Sequence, residues 1–433
     1  MRMVGGLPVV VGAAAAALAV ALTAHSGTAA ADPGEVAVPA QLAPYSHLTG
    51  SVSSSPPGAV VALFQHGWGV EFLDFPQAVV LGAGGDVYRR VDAAEDRAGP
   101  ETQGDPAPML LSPDGTKVAV GDHETDEPDV VVVDLRTGRA TTHPLPTGRS
   151  VVPLAWSHDG ETVAHLLSTE PTNPYSGSRI VGDVGLLDLT DDTTEVLEER
   201  TAVAVAFSPD DSELAVERTG VEDRISVVEL GSGARRAIES DGVLAGPAAW
   251  SPDGRLLATT TTRPDIGLPN IDSPGIPTGL AFSDAAGGTD VPAARRLPLT
   301  APGRVLGWSA SDEVVLLLGT GVDELVLSRV PLDGAEPRDL MRLSDLGRYG
   351  VGRFQLASDT AARLQVVHPA VVDRGPWPLP VRGALVLVVG LAAWLAVRLV
   401  LRRTPWSATL VTPARAASGS PPAGRPGGIP APR

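Results

Sequence analysis

The sequence predicts an all-β fold, a six-bladed β-propeller with seven blades as the alternative count, plus one C-terminal transmembrane helix. Three observations predict it. A Ser-Pro-Asp-Gly-type turn recurs along the chain, with its serines at 112, 157, 208, 251 and 309, so the steps are 45, 51, 43 and 58 residues. Each turn is followed by a short alternating strand and then by an apolar one, and steps of ~40–50 residues in an all-strand pattern mark blades of four strands. A single long apolar stretch, 383–401, stands near the end of the chain.

Residues 1–31 have the three parts of a signal peptide. Arg2 is the basic start, Leu7 to Leu22 is an uncharged apolar run, and Ala29-Ala30-Ala31 offers small residues before Asp32. The run is short for a span that must cross ~30 Å of hydrocarbon, which favours cleavage over anchoring. No twin arginine precedes it, so export as an unfolded chain is expected. Residues 32–57 read as a linker.

The predicted propeller spans 58–370. Trp156, Phe207, Trp250 and Trp308 stand directly before the serine in four of the five turns. Pro presets the first corner of such a turn, Asp bonds its own backbone, and Gly accepts positive φ. The motif therefore reverses a strand into a hairpin. The strands that follow alternate, as in Lys117–Val120, Thr162–Leu166, Glu213–Val216 and Arg255–Ala258. Next come Val130–Leu135, Val184–Leu189 and Ile225–Leu230, whose largely continuous apolar character fits a strand sandwiched between neighbouring blades. The recurrent aromatic supplies bulk between blades.

Repeats of this kind resemble those of TolB-type and bacterial tryptophan-aspartate (WD)-repeat-like propellers. The resemblance covers about 58–370 and implies the fold. It implies no single function, because that fold hosts scaffolds, sensors and enzymes. Three departures stand out: His158 replaces Pro, Asp211 replaces Gly, and the repeat at Trp308 is degraded.

The two ends of the repeat region are each incomplete. Gly352–His368 reads as one hairpin around Ser358-Asp359-Thr360, and Ala59–Gln65, Ala78–Leu81 and Asp86–Val91 read as strands. N- and C-terminal strands are therefore expected to share one blade. Residues 371–382 read as a juxtamembrane linker and 383–401 as the transmembrane helix. Arg398 lies near its inner end, Arg402 and Arg403 close it, and Trp377 and Trp406 sit at the two interfaces. Residues 402–433, rich in Pro, Gly, Ala and Ser and free of acids, read as a disordered cytoplasmic tail. The expected topology is a single-pass protein of the cell membrane, its propeller outside the cytoplasm.

Charge restricts the function classes. The chain carries 33 Lys and Arg against 51 Asp and Glu. Arg2 precedes residue 32 and six arginines follow residue 382, which leaves 26 bases against all 51 acids between them, net −25. Such a field repels nucleic acid and anionic lipid. Cysteine is absent, which removes disulfide and thiol chemistry.

No nucleophile elbow, phosphate-binding glycine loop or zinc motif is present. No catalytic, cofactor-binding or metal-binding residue is assigned, and no cofactor is expected. His47, His66, His123, His143, His158, His165 and His368 show no metal-ligand spacing. Asp122, His123, Glu124, Asp126, Glu127 and Asp129 form an acidic loop without the glycine and spacing of a calcium loop. In a four-stranded blade this loop shares one face with the insertion 170–183, which holds Tyr175, with 217–224, and with the longest, 263–278, which holds Asn270 and Asp272. Insertions gathered on one face commonly mark an interaction surface. The expected function is a protein- or ligand-binding module or scaffold of the cell envelope. The alternative is a propeller-type hydrolase or lyase acting on envelope material at an axial site.

Overall fold

The computed structural model describes residues 36–68, 76–174, 179–240, 242–263, 276–287, 296–299, 301–319, 325–343 and 350–403. The expected signal peptide, Tyr175, Asn270, Asp272 and nearly all of the expected tail lie outside the described residues. The chain divides into two units, 23–382 and a second made of 1–22 with 383–433.

In the first unit the strands run in chain order. They are β1 (Val36–Pro39), β2 (Val60–Trp68), β3 (Gln77–Gly82), β4 (Tyr88–Arg90), β5 (Met109–Leu111), β6 (Lys117–Val120), β7 (Asp129–Asp134) and β8 (Ala140–Pro144). Next come β9 (Ser150–Trp156), β10 (Thr162–Ser168), β11 (Gly182–Asp188), β12 (Thr193–Phe207), β13 (Glu213–Arg218), β14 (Ile225–Glu229) and β15 (Arg235–Ile238). Last are β16 (Val243–Leu244), β17 (Leu256–Arg263), β18 (Ile276–Asp284), β19 (Leu297–Pro298), β20 (Gly303–Ala310), β21 (Glu313–Gly319), β22 (Leu325–Pro331), β23 (Arg338–Arg342), β24 (Gly350–Leu356) and β25 (Leu364–Val367). A short helix α1 (Asp92–Asp96) joins β4 to β5.

The arrangement is an all-β propeller. Four separate four-stranded sheets have the orders β24-β2-β3-β4, β5-β6-β7-β8, β16-β17-β18-β19 and β20-β21-β22-β23. The count of six or seven separate blades is thereby corrected to four. The repeats headed by Ser157 and Ser208 are fused into one seven-stranded sheet, β9 to β15 in succession. The cause is β12, which runs unbroken for 15 residues. Its first part pairs with β11 (Leu186↔Glu195) and its second with β13 (Ala206↔Ala215).

The chain ends do meet in one blade, with a different share from each end. β24 pairs antiparallel with β2 (Ala62↔Leu356, Leu63↔Gln355), so the C-terminal side supplies one strand and the N-terminal side three. The hairpin expected over 352–368 does not form. After β24 the chain makes a 3₁₀ turn, Ser358–Arg363, and β25 pairs in parallel with β1 (Val36↔Leu364, Val38↔Val366). Val36, Val38 and Leu42 need this partner, because they bury their side chains against Leu340, Leu343 and Leu364.

Both segments read as linkers carry backbone pairing. Gly50 and Val52 exchange bonds with Arg90 on the outer edge of β4 (Arg90 N–H to Gly50 O 2.8 Å, Val52 N–H to Arg90 O 2.7 Å). Asp373 lies against the same edge, where its carbonyl accepts the Tyr88 N–H at 2.8 Å. The Asp373 carboxylate meets Arg89 at 2.9 Å, with side-chain exposures of 17% and 5%.

Apolar side chains pack between consecutive sheets, as a run of strands buried on both faces requires. One such layer sets Phe282 edge-on to Trp308 at 5.7 Å. Another stacks Phe64 on Phe354 at 5.8 Å in the closing blade.

The helix α2 (Leu379–Arg403) starts four residues before the predicted 383, because Pro380 suits a first helical turn. Its segment Leu379–Leu399 has 21 residues, about 31 Å at 1.5 Å each, and is long and apolar enough to cross a membrane. Arg398 lies over the Trp394 ring at 5.0 Å.

Candidate functional site

The repeated turns build the rim of the candidate site. In each of four turns the serine hydroxyl donates to the aspartate two residues on: Ser112 to Asp114 at 2.7 Å, and Ser157 to Asp159, Ser208 to Asp210 and Ser251 to Asp253 at 2.6 Å. The same oxygen accepts the N–H five residues on, from Lys117, Thr162, Glu213 and Leu256 at 2.8–2.9 Å. Gly115, Gly160 and Gly254 hold φ near +70°, and Asp211 takes the same left-handed place at φ +59°. These aspartates are occupied. The bonds from Ser208 and Ser212 hold the Asp210 carboxyl below its ordinary range. Burial works the other way at Asp114, but the bonds from Thr116 and Ser112 outweigh it and hold that carboxyl low.

Inside the rim lies a cavity of about 470 Å³, within the range of small-molecule and side-chain pockets. Its wall takes Leu111 from β5, Trp156 from β9, Phe207 from β12, Leu306 and Trp308 from β20, and Leu356 from β24, with Trp250 just ahead of β17. The innermost strands converge there, so the cavity is axial. Its rim is Pro113, His158, Pro209, Pro252, Ser311 and Asp359, so it opens on the face of the Ser-Pro-Asp-Gly turns.

The wall aromatics act first as staples between repeats. Trp156 Nε1–H donates to Leu110 O at 3.2 Å, Trp250 to Ala206 O at 3.1 Å and Trp308 to Ala248 O at 2.9 Å. Each indole thus ties its own repeat to the preceding one, at β5, at β12 and, for Ala248, at the turn between β16 and β17. Lys117 adds a tie, with Nζ donating to Gly160 O at 2.8 Å.

Two departures from the repeat meet at this rim and complement each other. His158 stands where the other turns carry Pro and so has an N–H, which donates to Asp211 Oδ1 at 2.7 Å. Asp211, in the glycine place of the next turn, also accepts Asp159 N–H at 3.0 Å and lies 3.2 Å from His158 Nδ1. Asp359 comes from a third element, the 3₁₀ turn after β24, held by its N–H to Pro113 O at 3.1 Å. Partial burial pushes the Asp359 carboxyl above its ordinary value; His158 and Arg363 act against that, and Asp114 and Asp211 add to it. Sequence reading singled out His158, Asp211 and the segment around Asp359 but did not bring them together. Their shared position at the serine turn was the available signal.

On the opposite face two arginines partly neutralise the acidic loop. Arg97 reaches Asp129 at 2.6 Å and Asp122 at 3.5 Å, and Arg149 reaches Asp126 at 3.4 Å and Glu124 at 3.7 Å. Among the described residues no group of three or more His, Asp or Glu side chains is placed to hold a metal. The insertion 170–183 is pinned to the neighbouring repeat by Arg179, which pairs with the fully buried Glu217. Glu217 also accepts Leu244 N–H at 3.0 Å.

Elsewhere in the unit, His66 and His165 are buried core residues. His165 is fully buried opposite Gly185, and burial lowers its pKa to about 4. Burial, helped by Arg374, does the same at His66, also to about 4. His143 lies 2.5 Å from Asp192, and His123 2.9 Å from Thr172 Oγ1.

No protein-family model matches the chain, and no curated protein matches it. Solved structures similar to it include TolB from Acinetobacter baumannii, with 17% sequence identity and a TM-score of 0.45 over 70% of this chain and 67% of that one. A putative TolB from Agrobacterium tumefaciens shares 14% identity with a TM-score of 0.39, over 69% and 99% of the two chains. An oligogalacturonate lyase in complex with manganese shares 13% identity with a TM-score of 0.43, over 76% and 83%.

Proposed function

We propose that this protein is a membrane-anchored, extracytoplasmic binding module or scaffold of the cell envelope, and that it engages its partner through the axial mouth. The observation that carries the reading is the cavity itself. Its walls are aromatic and prolyl, and the three indole donors are spent on backbone carbonyls. Such a wall offers shape and apolar surface, which suit recognition. The helix α2 supplies the anchor, and the exported orientation rests on the leader-like residues 1–31. The partner is an envelope protein or ligand, and nucleic acid is disfavoured by the net charge of −25 between 32 and 382.

A second reading has one observation in its favour. Asp211 beside His158 has the orientation of a carboxylate that fixes an imidazole tautomer, with Asp359 on the same rim. That is the outline of an axial acid–base site in a propeller-type hydrolase or lyase.

Site-specific photo-crosslinking in intact cells separates the readings. A crosslinker at Ser311 reports the axial mouth, and one at Thr219 reports the opposite face. A discrete protein captured from Ser311 supports the binding module. Capture from neither position, together with turnover of an envelope polymer that is lost in His158→Asn, would establish the enzyme instead.

A further inference from the structure

We propose that the axial mouth takes the cationic side chain of a basic, apolar peptide segment, a Lys or Arg whose charge meets Asp359 while its neighbours lie on the Trp and Pro walls. The proposal rests on the binding-module reading and adds the chemistry of the partner.

The argument starts from the repeat. Identical turns around an axis give a uniform rim, so the places where the uniformity breaks carry individual information. Those places are His158, Asp211 and the 3₁₀ turn bearing Asp359, and they come to one stretch of the rim. His158 and Asp211 are matched to each other. Asp359 is not matched: its carboxylate makes no hydrogen bond within the described residues, while Asp114, Asp159, Asp210 and Asp253 are each bonded by the serine of their own turn. The charges near it are Asp114 and Asp211, which repel it, and His158 and Arg363, which attract it. Partial burial is the largest influence on it and outweighs those two cations, so the carboxyl stands above its ordinary value. Arg304, in the cavity wall, donates to Phe354 O at 3.2 Å.

The walls narrow the choice of ligand. An anion or a polyol needs donors aimed into the cavity, and the indole N–H groups are turned to backbone carbonyls. Gln355 is spent on Leu111 N–H and Met109 O, Ser309 on Glu313 and His158 on Asp211, so the lining offers apolar surface beside the Asp359 carboxylate, which matches an alkyl-ammonium or guanidinium side chain flanked by apolar residues. The acidic field of the unit draws such a segment in.

The test is calorimetric titration of the full chain, in detergent or nanodiscs, with acetyl-Leu-Pro-Lys-Pro-Leu-amide and with its norleucine and glutamate analogues. The lysine peptide is expected to bind at least about tenfold more tightly than the norleucine one, as befits one charge-assisted contact. Asp359→Asn is expected to erase that difference and leave norleucine binding unchanged, which also shows that the variant is folded. Equal binding of lysine and norleucine peptides, or an unaltered lysine affinity in Asp359→Asn, would remove Asp359 as the anchor and leave the binding module standing. Tighter binding of the glutamate peptide, or no binding of the lysine peptide at millimolar concentration, would overturn the proposal. Failure of the module itself reads out separately, as absence of capture from Ser311 in cells.

Discussion

Two residues at the rim carry most of what is individual about this chain, and both were visible in the sequence as departures from a repeat. Their relation was not, because His158 and Asp211 lie in successive turns and meet only when the blades are set around an axis. The hydrogen bond between them requires both changes, since Pro has no N–H to give and Gly no carboxylate to receive it. His158→Pro and Asp211→Gly are each expected to lower the melting temperature. The double variant, which restores two ordinary turns, is expected to lose about 1 kcal/mol less than the two losses added. Additive losses would show that the pair is uncoupled. A second effect belongs to this scale. His165 is buried neutral with its pKa lowered to about 4, against 6.5 unfolded. The unfolded chain then binds the extra proton first, so stability is intact above pH 6.5 and falls as pH drops toward 4. The difference amounts to about 3 kcal/mol for this one group. Denaturation of the wild type and His165→Leu at pH 7 and pH 4 checks it, because groups common to both cancel; an equal acid response in the two would refute the assignment.

Among the elements, the turns and their flanking strands were legible because their signals are local. Pro, Asp and Gly fix a turn within a few residues, and alternation fixes the strand beside it. Fusion of two repeats by β12 was not legible. Within Thr193–Phe207 the partner changes from β11 to β13 with register shifts around Ala202 and no break in the strand, and whether a strand ends depends on where its neighbours stop. The indole staples are also an element-scale fact, since each tryptophan reports on the preceding repeat rather than its own. Phe207 occupies the same place with no donor, so an aromatic without an N–H is sterically acceptable there. Trp250→Phe should therefore keep the fold while removing the second hydrogen bond on the Ala206 carbonyl, which keeps its ladder partner Ala215. The expected cost is about 0.5–1.5 kcal/mol. Thermal unfolding of the variant measures it, and an unchanged midpoint would mean that the staple contributes only bulk.

At the scale of the whole molecule, shared closure by both chain ends could be anticipated from incomplete repeats, whereas the parallel pairing of β1 with β25 could not. That pairing joins segments more than 300 residues apart, and no local pattern encodes a parallel partner. The same applies to the stretch before α2, which reads as a spacer by composition but is bonded to the edge of β4. Arg89 is the residue at stake, because it is nearly inaccessible and its charge is met by Asp373. Removing one member of a buried ion pair commonly costs about 3–5 kcal/mol, since the other is left uncompensated. A chain ended at Pro378 keeps Asp373 and loses the membrane helix and the residues after it, so it should stay in solution without detergent and melt close to the full-length protein. A chain ended at Ala370 lacks Asp373 and the backbone acceptor for Tyr88, and it should melt several degrees lower or fail to accumulate folded. Arg89→Met in the shorter chain removes the stranded charge and should recover part of the loss. If both truncated chains melt together, the stretch 371–378 is a spacer after all, and closure of the propeller is complete at β25.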